Sequence, residues 1–333
     1  MNVNTSIQSF LIFCAEYKFF VNTRQCKRFL FGENVYQSFH KRVPLLYRFF
    51  CAIVVAEIQK SEDVKFIMKN FIVYFFGQGT EPEFSLLTPA HFAPILLMLF
   101  VIWSIFRNRE HLQQSKHEEK LRYVLAFALI ICDMSYYWRL VGMPSLGPNP
   151  VEHLPIGICT WTVIFCSYMV VGKSQALFDI VYFWLFSGSL FALITPTPLT
   201  YTGPTRYRYY QFWLEHTLGY ISVFYMIFVH GLRPTVRSAF RSGIAMIIMV
   251  LLAYWTNTMI PGANYLYMAR PEAAPSVLDI LPPNFALRVS IMAFAMVVMY
   301  AMAYLPWYLK DRKKKSFLRS YGEEDSLSES HTS

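Results

Sequence analysis

Apolar runs of about 20 residues, each closed by a basic block or a Pro/Gly-rich segment, dictate what this chain can become, because that length crosses a hydrocarbon core of about 30 Å. Seven such runs occur, at roughly 87-106, 121-141, 154-172, 175-195, 210-231, 243-260 and 285-308. A backbone inside lipid must satisfy its own hydrogen bonds, so runs of this kind become helices. The expectation is an all-α polytopic membrane protein of seven transmembrane helices. Composition agrees, with 55% hydrophobic and only 15% charged residues. The connecting segments, such as Gly142–Pro150, are too short for a second globular domain.

Lysine and arginine set the expected orientation, since they accumulate in loops that stay cytoplasmic. Arg107, Arg109, Lys116, Lys120 and Arg122 follow the first run, Lys173 follows the third, and Arg233, Arg237 and Arg241 follow the fifth. Lys310, Arg312, Lys313, Lys314, Lys315 and Arg319 follow the last. This pattern predicts an N-terminus outside and a C-terminus in the cytoplasm, with the chain in the plasma membrane. The net charge of +9 is then topology and not a nucleic-acid footprint, because no basic stripe lies on a soluble element.

Residues 1–67 fit this scheme poorly, since their basic residues would all lie outside and their apolar stretches near 9-21 and 43-56 are short and interrupted. They read either as an extension upstream of a start at Met68 or as an eighth, weaker span. The expected organisation is this extension, a membrane domain over 68-310, and a basic then polar tail over 311-333.

Placed by depth at about 1.5 Å of rise per residue, the polar residues within the spans gather at one end. Asp133, Tyr136, Tyr137 and Arg139 lie in the outer half of span two, and His153 lies at the mouth of span three. Glu215 and His216 open span five, Asn257 closes span six, and Asn264 sits in the loop beyond it. Ionisable groups at such depth are costly unless they face a protein interior or a wet cavity, so they mark a site. For most of these residues an anchoring role competes: the tyrosines fit an aromatic belt, and Asp133 fits an ion pair with Arg139. His216 stands apart as an imidazole well inside a span, with Tyr220 one turn on. Asp179, near the other end, reads as a residue snorkelling toward water. No cysteine pair has metal or redox spacing, and no phosphate-binding glycine loop appears. No cofactor and no metal are therefore expected.

The pieces His91–Pro94, Ser135–Trp138, Glu152–Cys159, Leu193–Pro196, Tyr210–His216 and Gly262–Tyr265, in this order, make the chain resemble the YwaF family of bacterial integral membrane proteins. That family is similar to animal multi-span proteins that act on lipids as acyltransferases or ester hydrolases, through a cysteine or threonine nucleophile and a histidine. The resemblance implies membrane lipids as partners and places the histidine on His216. The nucleophile carries over less directly. Where the animal acyltransferase has its cysteine, this chain has Ile156; the family's own histidine is replaced by Gly157, and its cysteine falls on Cys159. The mechanism implied is attack by Cys159 with His216 as general base. Asp133, Glu215 or Tyr220 would orient the ring, and Asn257 or Asn264 would stabilise the oxyanion. A non-enzymatic binding, transport or accessory protein with the same polar pocket is the competing reading, and nothing in the sequence sets the oligomeric state.

Overall fold

The computed structural model describes residues 64–271 and 276–330, with side chains to residue 313. The proposed start at Met68 and the eighth span turn on residues 1–63, which lie outside the described residues. The chain divides into two units, and everything that follows concerns the second, Tyr74–Ser333.

Among the described residues all regular structure is helical. The main helices are α1 (Pro89–Arg107), α2 (Glu118–Gly142), α3 (Ile158–Gly172), α4 (Gln175–Trp184), α5 (Tyr207–His230), α6 (Val236–Met259) and α7 (Phe285–Ser330). After α4 a five-residue π-helical turn, Leu185–Ser189, leads into the short helix Leu190–Ile194. Among the described residues six helices are long and apolar enough to cross a membrane, where seven runs were expected. The third run yields only the 15 residues of α3. Its first four residues stay outside the helix, where Ile156 N closes a tight turn on the Leu154 carbonyl at 2.8 Å around Pro155 and Gly157 takes an extended conformation at the N-cap.

The interior is built around α5 and α4. In α5, 67% of the apolar window is buried inside the protein, against 11% in α1 and α7, which turn most of their surface outward. Phe178, Phe183, Trp184, Leu185, Val223, Met226 and Val229 interlock with Cys166, Met169 and Val170 of α3. In lipid, helix association rests on such close packing, so small residues matter where backbones approach. A Cβ on Gly219 would lie 3.1 Å from Leu185 Cδ2, and one on Gly188 would lie 3.2 Å from Ile158 Cγ2. Tyr209 shows how a defect is mended: Pro94 cannot donate to the carbonyl of Ala90, and the Tyr209 hydroxyl does so at 2.6 Å.

Two polar joints close one end of the bundle. Glu118 Oε1 accepts from Arg122 Nε at 2.8 Å and Tyr225 Oη at 3.0 Å, and lies 2.7 Å from His230 Nε2. Arg122 also donates to the carbonyls of Val170 and Val171, so α2, α3 and α5 are tied together. Asp179 does not snorkel. It is buried and accepts from Gln175 Nε2, Ser238 Oγ and Arg241 Nη1, each at 2.6 Å, which joins α4 to α6.

At the other end, residues 74–84 form a strap fixed by two arginines. Arg139 donates to the carbonyls of Phe76 and Gly77, and Arg206 donates to the carbonyl of Tyr74 and both oxygens of Glu83. The Arg206 hydrogen bond is the main reason the Glu83 carboxyl is held below its usual range. Gly203 is required here, because a Cβ would meet the Glu83 carbonyl oxygen at 2.6 Å.

Candidate functional site

Pro155, Ile156 and Gly157 bring the chain into α3 without a capping side chain, and Gly157 occupies the N-cap in extended conformation. The first backbone N–H groups of a helix have no partner within it. Here the first intrahelical acceptor is the Gly157 carbonyl, reached by Trp161 N at 3.2 Å. Cys159 is the second residue of α3, so its half-buried thiol sits against open N–H groups and the positive end of the helix dipole.

His216 comes to the same region from α5, near enough for its ring and the Cys159 thiol to interact electrostatically. Its Nδ1 is 2.8 Å from the carbonyl oxygen of Phe212, one turn earlier on the helix. A carbonyl only accepts, so Nδ1 carries a proton, and in the neutral ring Nε2 holds the lone pair. The Phe212 ring packs against the imidazole with centroids 4.3 Å apart. The residue that orients His216 is therefore supplied by the backbone, in place of the Asp133, Glu215 or Tyr220 side chains expected from sequence.

The third contribution comes from the π-helical turn. Ser189 Oγ lies 3.7 Å from Cys159 Sγ in donating geometry. The extra residue of a π-turn re-aims the side chains that follow it, and such turns recur at functional sites. Gly188 lets the turn approach Ile158, and Tyr220 donates its hydroxyl to the Leu185 carbonyl at 2.7 Å, which pins the turn to α5. Tyr220 thus shapes the site through the backbone. The sequence signal was Ser187-Gly188-Ser189 inside an apolar run, a pattern that marks a helix irregularity.

A second cluster lies alongside. Gln211 donates to Glu215 Oε2 at 2.8 Å and to the Cys132 carbonyl at 3.1 Å, while Arg208 donates to Gln211 Oε1 and stands 3.8 Å from Glu215. The Arg208 guanidinium covers the Tyr136 ring at 4.5 Å, and Tyr136 and Tyr137 meet edge to face at 5.3 Å. Tyr137 stands beside Thr160, the residue after Cys159. Asp133 feels the charges of Glu215 and Arg208, is only 2% exposed, and leaves its Oδ2 without a hydrogen-bond partner. It does not pair with Arg139, which is spent on the strap.

The remaining candidates serve the loops. Asn257 exchanges hydrogen bonds with the Tyr265 backbone, and Asn264 accepts from Ala269 N and Arg270 N and donates to the Arg270 carbonyl. Both asparagines hold the loop backbone around them. His153 Nδ1 accepts from Asn149 N at 3.1 Å, within its own turn. Among the described residues no group of His, Cys, Asp and Glu has the arrangement of a metal site.

None of the curated proteins and none of the solved structures matches the chain. A family match does exist, and it overturns the bacterial resemblance: what matches is an animal-type transmembrane family and not YwaF. The match runs over residues 84–304, about two thirds of the chain and all of the cluster around Cys159 and His216, and it places the chain in the TMEM164 family.

Proposed function

We propose that this membrane protein is a lipid acyltransferase, with Cys159 as nucleophile and His216 as general base. The observation that carries the reading is the meeting of a half-buried thiol at the start of α3 with an imidazole whose Nδ1 is committed to the Phe212 carbonyl. This is the nucleophile, base and orienter arrangement of covalent catalysis, with a backbone carbonyl as orienter.

In the proposed reaction Nε2 of His216 takes the thiol proton, and the Cys159 sulfur attacks the ester carbonyl of a phospholipid. The open N–H groups at the start of α3 receive the developing oxyanion. Collapse breaks the ester C–O bond, the lysolipid leaves with the proton returned by His216, and the acyl group remains on sulfur as a thioester. An acceptor hydroxyl, deprotonated by the same histidine, then takes the acyl group and frees the thiol. Water in place of the acceptor gives hydrolysis. The basic loops support a topology in which α2 and α5 present this site at the membrane face opposite the cytoplasm.

The direct test is reconstitution of the purified protein in vesicles holding a phospholipid with a labelled acyl chain and an unlabelled lysophospholipid. Label is expected to move to the lysophospholipid with time. Vesicles in which it stays on the donor, with neither transfer nor release as free acid, would remove the enzyme reading.

A further inference from the structure

We infer that Ser189 is a further catalytic residue, its hydroxyl donating to the Cys159 sulfur, and that Tyr220 positions it by occupying the carbonyl this hydroxyl would otherwise take. The inference deepens the acyl-transfer reading and rests on it for what the sulfur does. A hydroxyl on a membrane helix has one ready partner, the backbone carbonyl one turn back, because lipid offers no water. Thr162, Ser187, Thr217, Ser222 and Thr256 each donate to the carbonyl four residues earlier, at 2.6–2.9 Å. Ser189 donates elsewhere.

For Ser189 the carbonyl one turn back belongs to Leu185, and a carbonyl oxygen has two lone pairs. One takes Leu190 N across the π-turn, and the other takes Tyr220 Oη at 2.7 Å. The buried Ser189 hydroxyl is thereby turned toward Cys159 Sγ, 3.7 Å away in donating geometry. The turn has supports besides Tyr220. Ser187 Oγ donates to the Phe183 carbonyl at 2.8 Å, and the Tyr300 ring of α7 lies on Phe183 with centroids 4.7 Å apart. Tyr300 is itself fixed through its hydroxyl, 2.7 Å from Ser242 Oγ of α6. In the reaction the sulfur carries negative charge twice, when His216 takes the thiol proton and when the acceptor displaces sulfur from the thioester. A donor held on the sulfur stabilises both states, and Ser189 keeps its own proton throughout.

The experiment follows alkylation of Cys159 by iodoacetamide in the purified full chain over a range of pH, read by mass spectrometry of the peptide carrying Cys159. Only the thiolate reacts, and no lipid is needed. Below the midpoint of the wild-type profile Ser189→Ala is expected to react about tenfold more slowly, the lower end of what a hydrogen bond to a charged group contributes. At high pH, where every thiol is ionised, it is expected to meet the wild-type rate. Ser189→Thr restores a hydroxyl and is expected to recover most of the loss. Tyr220→Phe opens the Leu185 carbonyl to Ser189 and is expected to slow alkylation as Ser189→Ala does, with the double variant no slower than Ser189→Ala alone. His216 and Tyr220 of α5 also act on this sulfur, and both are unchanged in the two Ser189 variants, so the shift between those variants belongs to the hydroxyl. In vesicles Ser189→Ala is expected to lower kcat for label transfer by about the same tenfold. Slowed alkylation with no label transfer in any protein would uphold the contact and count against acyl transfer alone. A Ser189→Ala profile equal to wild type, or lowered by one factor at every pH, would overturn the catalytic role, and additive losses in the double variant would overturn the positioning by Tyr220.

Discussion

Cys159→Ala is expected to abolish acyl transfer, and His216→Gln to slow it by about a thousandfold, within the range that a positioned general base contributes. The two losses have different origins. Without sulfur there is no atom to carry the acyl group. Without the imidazole no base takes the thiol proton, and the 3.7 Å contact from Ser189 is what remains at the sulfur. Because the two residues act as one unit, the double variant is expected to be no slower than Cys159→Ala alone. The readout is the rate of label transfer in vesicles, with thermal unfolding measured in parallel to confirm that each variant folds. A His216→Gln protein that folds and transfers label at the wild-type rate would remove the general-base role and leave the histidine a packing residue against Phe212.

The largest loss of stability is expected at the other end of the bundle, from Glu118→Ala. Glu118 is nearly buried and compensates Arg122, with His230 and Tyr225 on the same oxygen and Lys173 Nζ 3.8 Å from the other. Deleting it leaves the Arg122 guanidinium buried with only the carbonyls of Val170 and Val171 as partners. Breaking a buried ion pair by removing one member costs about 3–5 kcal/mol. Glu118→Gln keeps an acceptor for Arg122 and Tyr225 and is expected to cost clearly less. Thermal unfolding in detergent checks the ranking, and an Ala variant as stable as the Gln variant would show that this joint is not electrostatic. Neither substitution touches the Cys159 cluster, so transfer by the folded fraction is expected to persist.

Much of the architecture was legible because lipid allows few solutions. Apolar length located each helix along the chain, but polar residues extend the helices beyond it: α6 begins at Val236 and not 243, α7 runs to Ser330 and not 308, and α3 is shortened at Gly157. Depth counting also put Asp133, Tyr136, Tyr137, Glu215 and His216 at one end of the spans, because helical rise is regular, whereas Cys159 entered only through the family resemblance. What the sequence hid was backbone chemistry. The Phe212 carbonyl that holds His216, and the π-turn that presents Ser189, belong to main-chain geometry with no side-chain signature. Asn257 and Asn264 misled for the opposite reason: their amides look free in sequence, but a loop with its own unpaired N–H and C=O groups claims them. Asp179, similarly, had partners in Ser238 and Arg241 that lie about 60 residues away along the chain.

The central claim is that an acyl group passes through the sulfur of Cys159. Peptide mapping of protein quenched in acid during turnover of a labelled phospholipid tests it most directly. The expected result is a hydroxylamine-sensitive acyl mass on the peptide carrying Cys159, absent from Cys159→Ala and accumulating when the lysophospholipid acceptor is withheld. Sustained label transfer with no acyl mass on that cysteine, or transfer unchanged in Cys159→Ala, would contradict the account.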